Sequence, residues 1–201
     1  MKAVVFDIGN VLVNFRWREL FADLGFEGEK FETIANATVL NPWWNEFDRG
    51  LMTLPELIDK FSEKAPQYRE DMEQIFEHGG ELVSLYDYAI PWIRDLKSRG
   101  YQVYVLSNWS KSVYEKTKDT HLCFLSEVDG GIMSFREGLI KPEREIYQLL
   151  CDRYDLDPKE AVFLDDNEAN VQAAREFGLH AIHFQSYEQA KEELNKYLEE
   201  K

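Results

Sequence analysis

The stretch Ala3-Val4-Val5-Phe6-Asp7-Ile8-Gly9-Asn10-Val11-Leu12 carries the reading on which the fold turns. Val4, Val5 and Phe6 form an unbroken run of β-branched and aromatic residues, the pattern of a short buried strand, and the run stops at the carboxylate of Asp7. Ile8-Gly9-Asn10 then supplies a Gly-containing turn that leaves Asp7 at the strand end. The same event recurs downstream. Tyr101 to Leu106 reads as a strand stopped by Ser107-Asn108, and Ala161 to Leu164 as one stopped by Asp165-Asp166.

Helices fill the intervals. Gly100 suits the residue after a helix C-terminus, Glu143 to Tyr154 is a further helix, and Ser186 with Gln189 opens a last one after the strand His180 to Phe184. Strands alternating with helices specify an α/β fold with a doubly wound parallel sheet, whose ligands bind beyond the carboxyl ends of the strands. Asp7, Ser107-Asn108 and Asp165-Asp166 would therefore meet on one rim. Between the first two strands the character changes, with helical stretches from about Trp17 to His78 and Thr53, Pro55 and Glu56 arranged as a capping box. The division that follows is a core of residues 1–13 and 85–201, with residues 14–84 inserted as a helical lid over the rim.

Composition excludes several classes. The 201 residues carry 23 basic against 38 acidic side chains, a formal net charge of −15, which repels nucleic acid and anionic membranes alike. Any anionic substrate must be held by a local cation. No apolar run approaches the roughly 18 residues of a membrane span. The two cysteines, Cys123 and Cys151, have neither metal-ligand spacing nor disulfide density and read as buried apolar residues. The expected compartment is the cytoplasm.

Each polar segment has an ordinary reading beside a chemical one. Asp7 caps a turn or presents a carboxylate, and Ser107-Asn108 caps the helix opened at Ser110 or offers a hydroxyl and amides to phosphate oxygens. Lys141-Pro142 is solvated surface or the local cation that the charge balance requires. Adjacent carboxylates at Asp165 and Asp166 repel unless a cation compensates, and a hard divalent ion such as magnesium is the natural partner.

Taken in order, a strand-terminal Asp, a Ser-Asn, a Lys and an Asp-Asp pair with Asn170 four residues beyond resemble the four-motif signature of haloacid dehalogenase superfamily hydrolases. The resemblance covers essentially the whole chain, because that family inserts a helical cap into a Rossmann-like core where this chain has its helical block. Phe-Asp-Ile-Gly-Asn-Val-Leu and Phe-Leu-Asp-Asp-Asn-Glu-Ala-Asn are similar to the branch containing bacterial glucose-1-phosphate phosphatase, and the paired Asp-Asp resembles the phosphatase domain of soluble epoxide hydrolases. The resemblance implies a Mg2+-dependent phosphatase of a small phosphorylated metabolite. It makes Asp7 the nucleophile and a metal ligand, with the Gly9 carbonyl and Asp166 as further ligands. Ser107, Asn108 and Lys141 would hold the phosphate, Lys141 also balancing charge during catalysis, while Asp165 and Asn170 would orient Lys141, the metal waters or the loop.

One position departs from the family. Its usual pattern has a second Asp two residues after the nucleophile as proton donor and acceptor, and here that residue is Gly9. Positioned acid–base catalysis contributes roughly 10²–10⁴-fold, so something must compensate. A sugar 1-phosphate has a leaving oxygen that needs little protonation; alternatively, Glu46, Asp48 or an ordered water takes over. The loss of the acid also fits two other readings, a dehalogenase or a non-catalytic phospho-ligand-binding protein on the same fold. Trp43, Trp44, Arg49, Arg16, Trp17 and Trp109 are candidates to grip a sugar or, equally, ordinary packing residues. The four histidines show no metal spacing.

Overall fold

A computed structural model describes residues 1–199. Strands β1 (Ala3–Phe6), β4 (Gln102–Ser107), β5 (Gly130–Met133), β6 (Ala161–Asp165) and β7 (His180–His183) form one parallel sheet in the order β5-β4-β1-β6-β7. Helices α6 (Ala89–Ser98), α7 (Lys111–Thr117), α8 (Ser134–Glu137), α9 (Arg144–Tyr154), α10 (Glu168–Phe177) and α11 (Tyr187–Glu199) occupy the connections. This is the doubly wound α/β fold expected from the alternation. Central strands β1 and β6 are buried along their whole length, as parallel strands covered on both faces must be.

Register brings the polar strand ends together. Phe6 lies opposite Val105 on one side and Leu164 on the other, so Asp7 falls level with Asp165 and next to the end of β4. The Asp7 N–H donates to the Leu164 carbonyl at 2.8 Å, which carries the ladder one residue past the strand.

Two strands are absent from the sequence reading. Val13–Phe15 (β2) pairs antiparallel with Val83–Leu85 (β3), and this ribbon contains both points, 13/14 and 84/85, at which the sequence suggests a division. Between its strands run helices α1 (Trp17–Asp23), α2 (Gly28–Ala37), α3 (Trp43–Arg49), α4 (Leu54–Ser62) and α5 (Arg69–Glu77). Thr53 and Glu56 form the expected reciprocal capping box at α4. The edge strand β5 is likewise absent from the sequence reading, because two of its four residues are the glycines Gly130 and Gly131, which carry no strand pattern. A Cβ on Gly131 would collide with Val105, so the close approach of β5 to β4 requires the glycine.

Residues of the helical segment and of one sheet face share a continuous apolar cluster, in which Phe6 meets Trp92 at 4.8 Å and Trp44 stacks on Phe76 at 5.8 Å. A second cluster, including Val5, Tyr147 and Phe163, fills the other face. Cys151 is buried as expected but Cys123 is exposed, and both are free thiols. No helix among the described residues is long and apolar enough to cross a membrane.

Candidate active site

The carboxyl ends of β1, β4 and β6 open into a cavity of about 240 Å³ lined by Asp7, Gly9, Ser107, Asn108, Lys141, Asp166 and Asn170. These are the site residues anticipated from sequence, with one exception. Asp165 lies behind the cavity wall, fully buried.

The position of Asp165 explains that of Lys141. One Asp165 oxygen accepts from the Asn167 N–H at 2.8 Å, the other from Lys141 Nζ at 2.6 Å, and the Asn170 amide donates to both at 3.1 Å. Lys141 is only 3% exposed, and its ammonium also lies 2.8 Å from Asp7 Oδ1. Its main chain is clamped by Asn108, whose amide donates to the Lys141 carbonyl at 3.0 Å while its Oδ1 accepts the Lys141 N–H at 2.8 Å. Burial alone would favour loss of the Lys141 proton, but Asp165 and Asp7 outweigh it and hold the ammonium charged. Asn108 thus has a bracing role beyond the phosphate contact suggested by its place beside Ser107.

The carboxylates outnumber this cation. Asp7, Asp165 and Asp166 each offer an oxygen within 4.8 Å of the others'. Burial first, then Asp165 and Asp166, push Asp7 up to about 7 against the pull of Lys141. Asp166 is likewise raised, chiefly by burial, although Asn10 opposes this by donating to its Oδ2 at 2.8 Å. With Asp165 fully engaged, Asp7 and Asp166 are the carboxylates left facing the cavity. Asp7 Oδ1 contacts the ammonium only as an ion pair and is a buried oxygen without a hydrogen-bond partner among the described residues. Oxygen donors with surplus negative charge fit a hard divalent cation.

Asn10 was not singled out from sequence. It sits at φ 55°, in the left-handed region that Asn tolerates, where its side chain accepts the Phe15 N–H and steers Asp166. The signal was present in the Gly9-Asn10 turn, but the partner lies 156 residues away.

Among the aromatic and Arg candidates, Trp44 and Trp109 line the cavity together with Phe15, Val83 and Val113. The others serve elsewhere. Trp43 packs under Lys60, Trp17 stacks on Phe31, Arg16 pairs with Asp23, and Arg49 bridges Glu46 and Glu143. Among the described residues no histidine lines the cavity, and His183 contacts the backbone of Asp166.

Asp48 does line it, from the last turn of α3, and is 8% exposed. Burial, then the charge of Asp7, push its carboxyl up to about 8, with Lys141 opposing. From about pH 4 to 8 the unfolded chain ionises Asp48 while the folded chain keeps the proton, so stability falls as pH rises through this window and levels off above it. Asp48→Asn removes that titration. Its melting temperature relative to the parent protein is expected to climb from pH 5 to pH 8, at up to about 1 kcal/mol or about 2–4 °C per pH unit. Thermal unfolding across this range checks it, and a pH-independent difference would contradict the assignment.

Comparison with known proteins adds four findings. A family model described as haloacid dehalogenase-like hydrolase matches residues 1–178. A sesquiterpene phosphatase of Aspergillus oryzae is 25% identical over 90% of this chain and 89% of its own length. Among solved structures, a HAD family enzyme from Bacteroides thetaiotaomicron, in complex with magnesium and inorganic phosphate, superposes with a TM-score of 0.72 at 22% identity, covering 94% of this chain and 98% of that one. The L-2-haloacid dehalogenase of Xanthobacter autotrophicus gives 0.66 at 18% identity over 98% of this chain and 83% of its own. At such identities the structural likenesses establish a shared fold.

Proposed function

The chain belongs to the haloacid dehalogenase-like hydrolases, and from that premise we propose that it is a magnesium-dependent phosphatase acting on a small phosphate monoester through Asp7. The observation that carries this reading is the imbalance of charge in the cavity, three carboxylates gathered around a single buried ammonium. A divalent cation and a phosphoryl group together complete such a site. A dehalogenase has no use for the surplus carboxylate of Asp166.

In this reading Asp7, Asp166 and the Gly9 carbonyl hold magnesium. When bound, the ion keeps both carboxylates ionised and draws charge from the phosphoryl oxygens. Lys141, the Ser107 hydroxyl and the Asn108 N–H grip those oxygens, which strengthens as negative charge builds in the transition state. The free Asp7 oxygen attacks phosphorus in line with the departing ester oxygen, giving an aspartyl-phosphate that water then hydrolyses. Asp165 and Asn170 keep the Lys141 ammonium aimed at Asp7.

Residues 14–84 act as the cap over a core of 1–13 and 85–201, which is supported by Phe15, Trp44, Asp48 and Val83 lining the cavity from that segment. The lining also limits the substrate. Among the described residues Lys141 is its sole cationic side chain, so a second phosphate or a carboxylate on the substrate would find no cationic partner among them. The walls of Phe15, Trp44, Trp109 and Val113 suit a neutral body in a space small for a ligand site. A sugar 1-phosphate meets these demands, in keeping with the glucose-1-phosphate branch that the motifs resemble. The two free thiols support a cytoplasmic setting.

The test is a phosphate-release screen with and without magnesium, over sugar 1-phosphates, sugar 6-phosphates, sugar bisphosphates, nucleotides and phosphoamino acids. Monophosphates of neutral alcohols are expected to turn over only with magnesium, at least about tenfold faster than the bisphosphates. Halide release from 2-haloacids, or ligand binding without phosphate release at high enzyme concentration, would reject the reading.

A further inference from the structure

We propose that the carboxyl of Asp48, delivered from α3, is the catalytic acid that protonates the leaving oxygen and then the base that activates water. The inference rests on the phosphatase reading and concerns the proton that Gly9 is unable to carry.

Elimination points to Asp48 first. The titratable side chains lining the cavity are Asp7, Asp48, Lys141 and Asp166. Attack, metal binding and charge balance use the other three. Glu46, the alternative two residues earlier, is drawn away into the ion pair with Arg49 and does not line the cavity. The Asp48 carboxyl is left without a hydrogen-bond or ion-pair partner among the described residues, whereas Arg49 beside it is bound on every side by Glu46, Glu143 and the Gly138 carbonyl.

Placement is fixed as a catalytic group needs. The Ser134 hydroxyl donates to the Asp48 carbonyl and accepts the Trp109 N–H at 2.8 Å, tying α3 to the segment that follows the phosphate-binding pair. At Gly50, with φ 83°, an added Cβ would sit 2.5 Å from the Phe135 carbonyl oxygen, so the backbone next to Asp48 rests directly on α8. Gly9 lines the same cavity, and a Cβ there would meet nothing within 4 Å, so the space beside it is open to an ester oxygen or a water. Burial and the neighbouring Asp7 keep the Asp48 proton on near neutrality, the state required of an acid.

The steps balance. Asp7 bonds to phosphorus as the phosphorus–oxygen ester bond breaks, and the ester oxygen takes the electron pair and the Asp48 proton to leave as an alcohol. A water oxygen then bonds to phosphorus while Asp48 recovers a proton from that water, and the Asp7–phosphorus bond breaks to release inorganic phosphate.

Asp48→Asn separates this role from a structural one. With n-propyl phosphate, whose leaving group needs a proton, kcat/KM is expected to fall about 10²–10⁴-fold. With p-nitrophenyl phosphate, whose leaving group does not, the first step should slow by less than about tenfold and appear as a burst of nitrophenol before slow turnover. Equal losses on both substrates without a burst, or no loss on the alkyl ester, would overturn the assignment. If the wild-type chain releases phosphate from neither ester, the phosphatase reading itself fails. Should the variant not fold, the wild-type enzyme decides: kcat/KM across a series of esters should depend only weakly on leaving-group acidity, and a steep dependence would mean that no acid is present.

Discussion

Asp7→Asn is expected to lower magnesium-dependent phosphate release by at least about 10³-fold, because the substitution replaces the attacking oxygen with an amide. The shape of the side chain is kept, so the loss is chemical rather than structural. Thermal unfolding should show this from an unusual direction. Asp7 is a buried carboxyl held up to about 7, so in the metal-free protein its ionisation in the unfolded state erodes stability from about pH 4 to pH 7. The metal-free variant is therefore expected to melt no lower than the parent protein at pH 8. Lys141 keeps Asp165 as a partner in the variant, which removes the main reason to expect collapse. Addition of magnesium should raise the melting temperature of the wild-type protein and do so much less for the variant, since one ligand is gone. Retained turnover would exclude Asp7 as nucleophile, whereas an unfolded variant would show the carboxylate to be structural.

The parts of this site legible in the sequence were those written in local pattern. A buried strand that ends abruptly at a carboxylate is visible as Val4-Val5-Phe6-Asp7, and parallel register does the rest by bringing the ends of β1, β4 and β6 to one edge. Capping was equally plain at Thr53, where both halves of the box lie within three residues. What remained hidden depends on distant partners. Glu46 and Asp48 were indistinguishable in sequence, and the choice between them is made by Glu143, 94 residues from Arg49, and by Ser134, 86 residues from Asp48. Strands β2 and β3 are three residues each, too short for an alternating pattern, and exist because each pairs with the other across the helical segment. Asn108 announced itself as a phosphate ligand by position, but its bracing of the Lys141 main chain spans 33 residues.

Lys141→Met tests the electrostatic logic hardest, because stability and catalysis are predicted to fail together and then be separable. The ammonium lies 2.6 Å from a fully buried Asp165 and 2.8 Å from Asp7. Removing it strands an uncompensated charge, which costs about 3–5 kcal/mol and should lower the melting temperature by about 10 °C. Phosphate release should fall at least about 10²-fold, since the charge building on the phosphoryl group loses its fixed cation. Adding Asp165→Asn removes the stranded carboxylate while keeping a side chain that still bonds Asn167 and Asn170. The double variant is therefore expected to regain most of the lost stability and little of the lost activity, read by thermal unfolding and phosphate release on the same samples. Recovery of both would mean that Lys141 serves only to neutralise Asp165. Recovery of neither would mean that its contact with Asp7, rather than the one with Asp165, holds this edge of the sheet together.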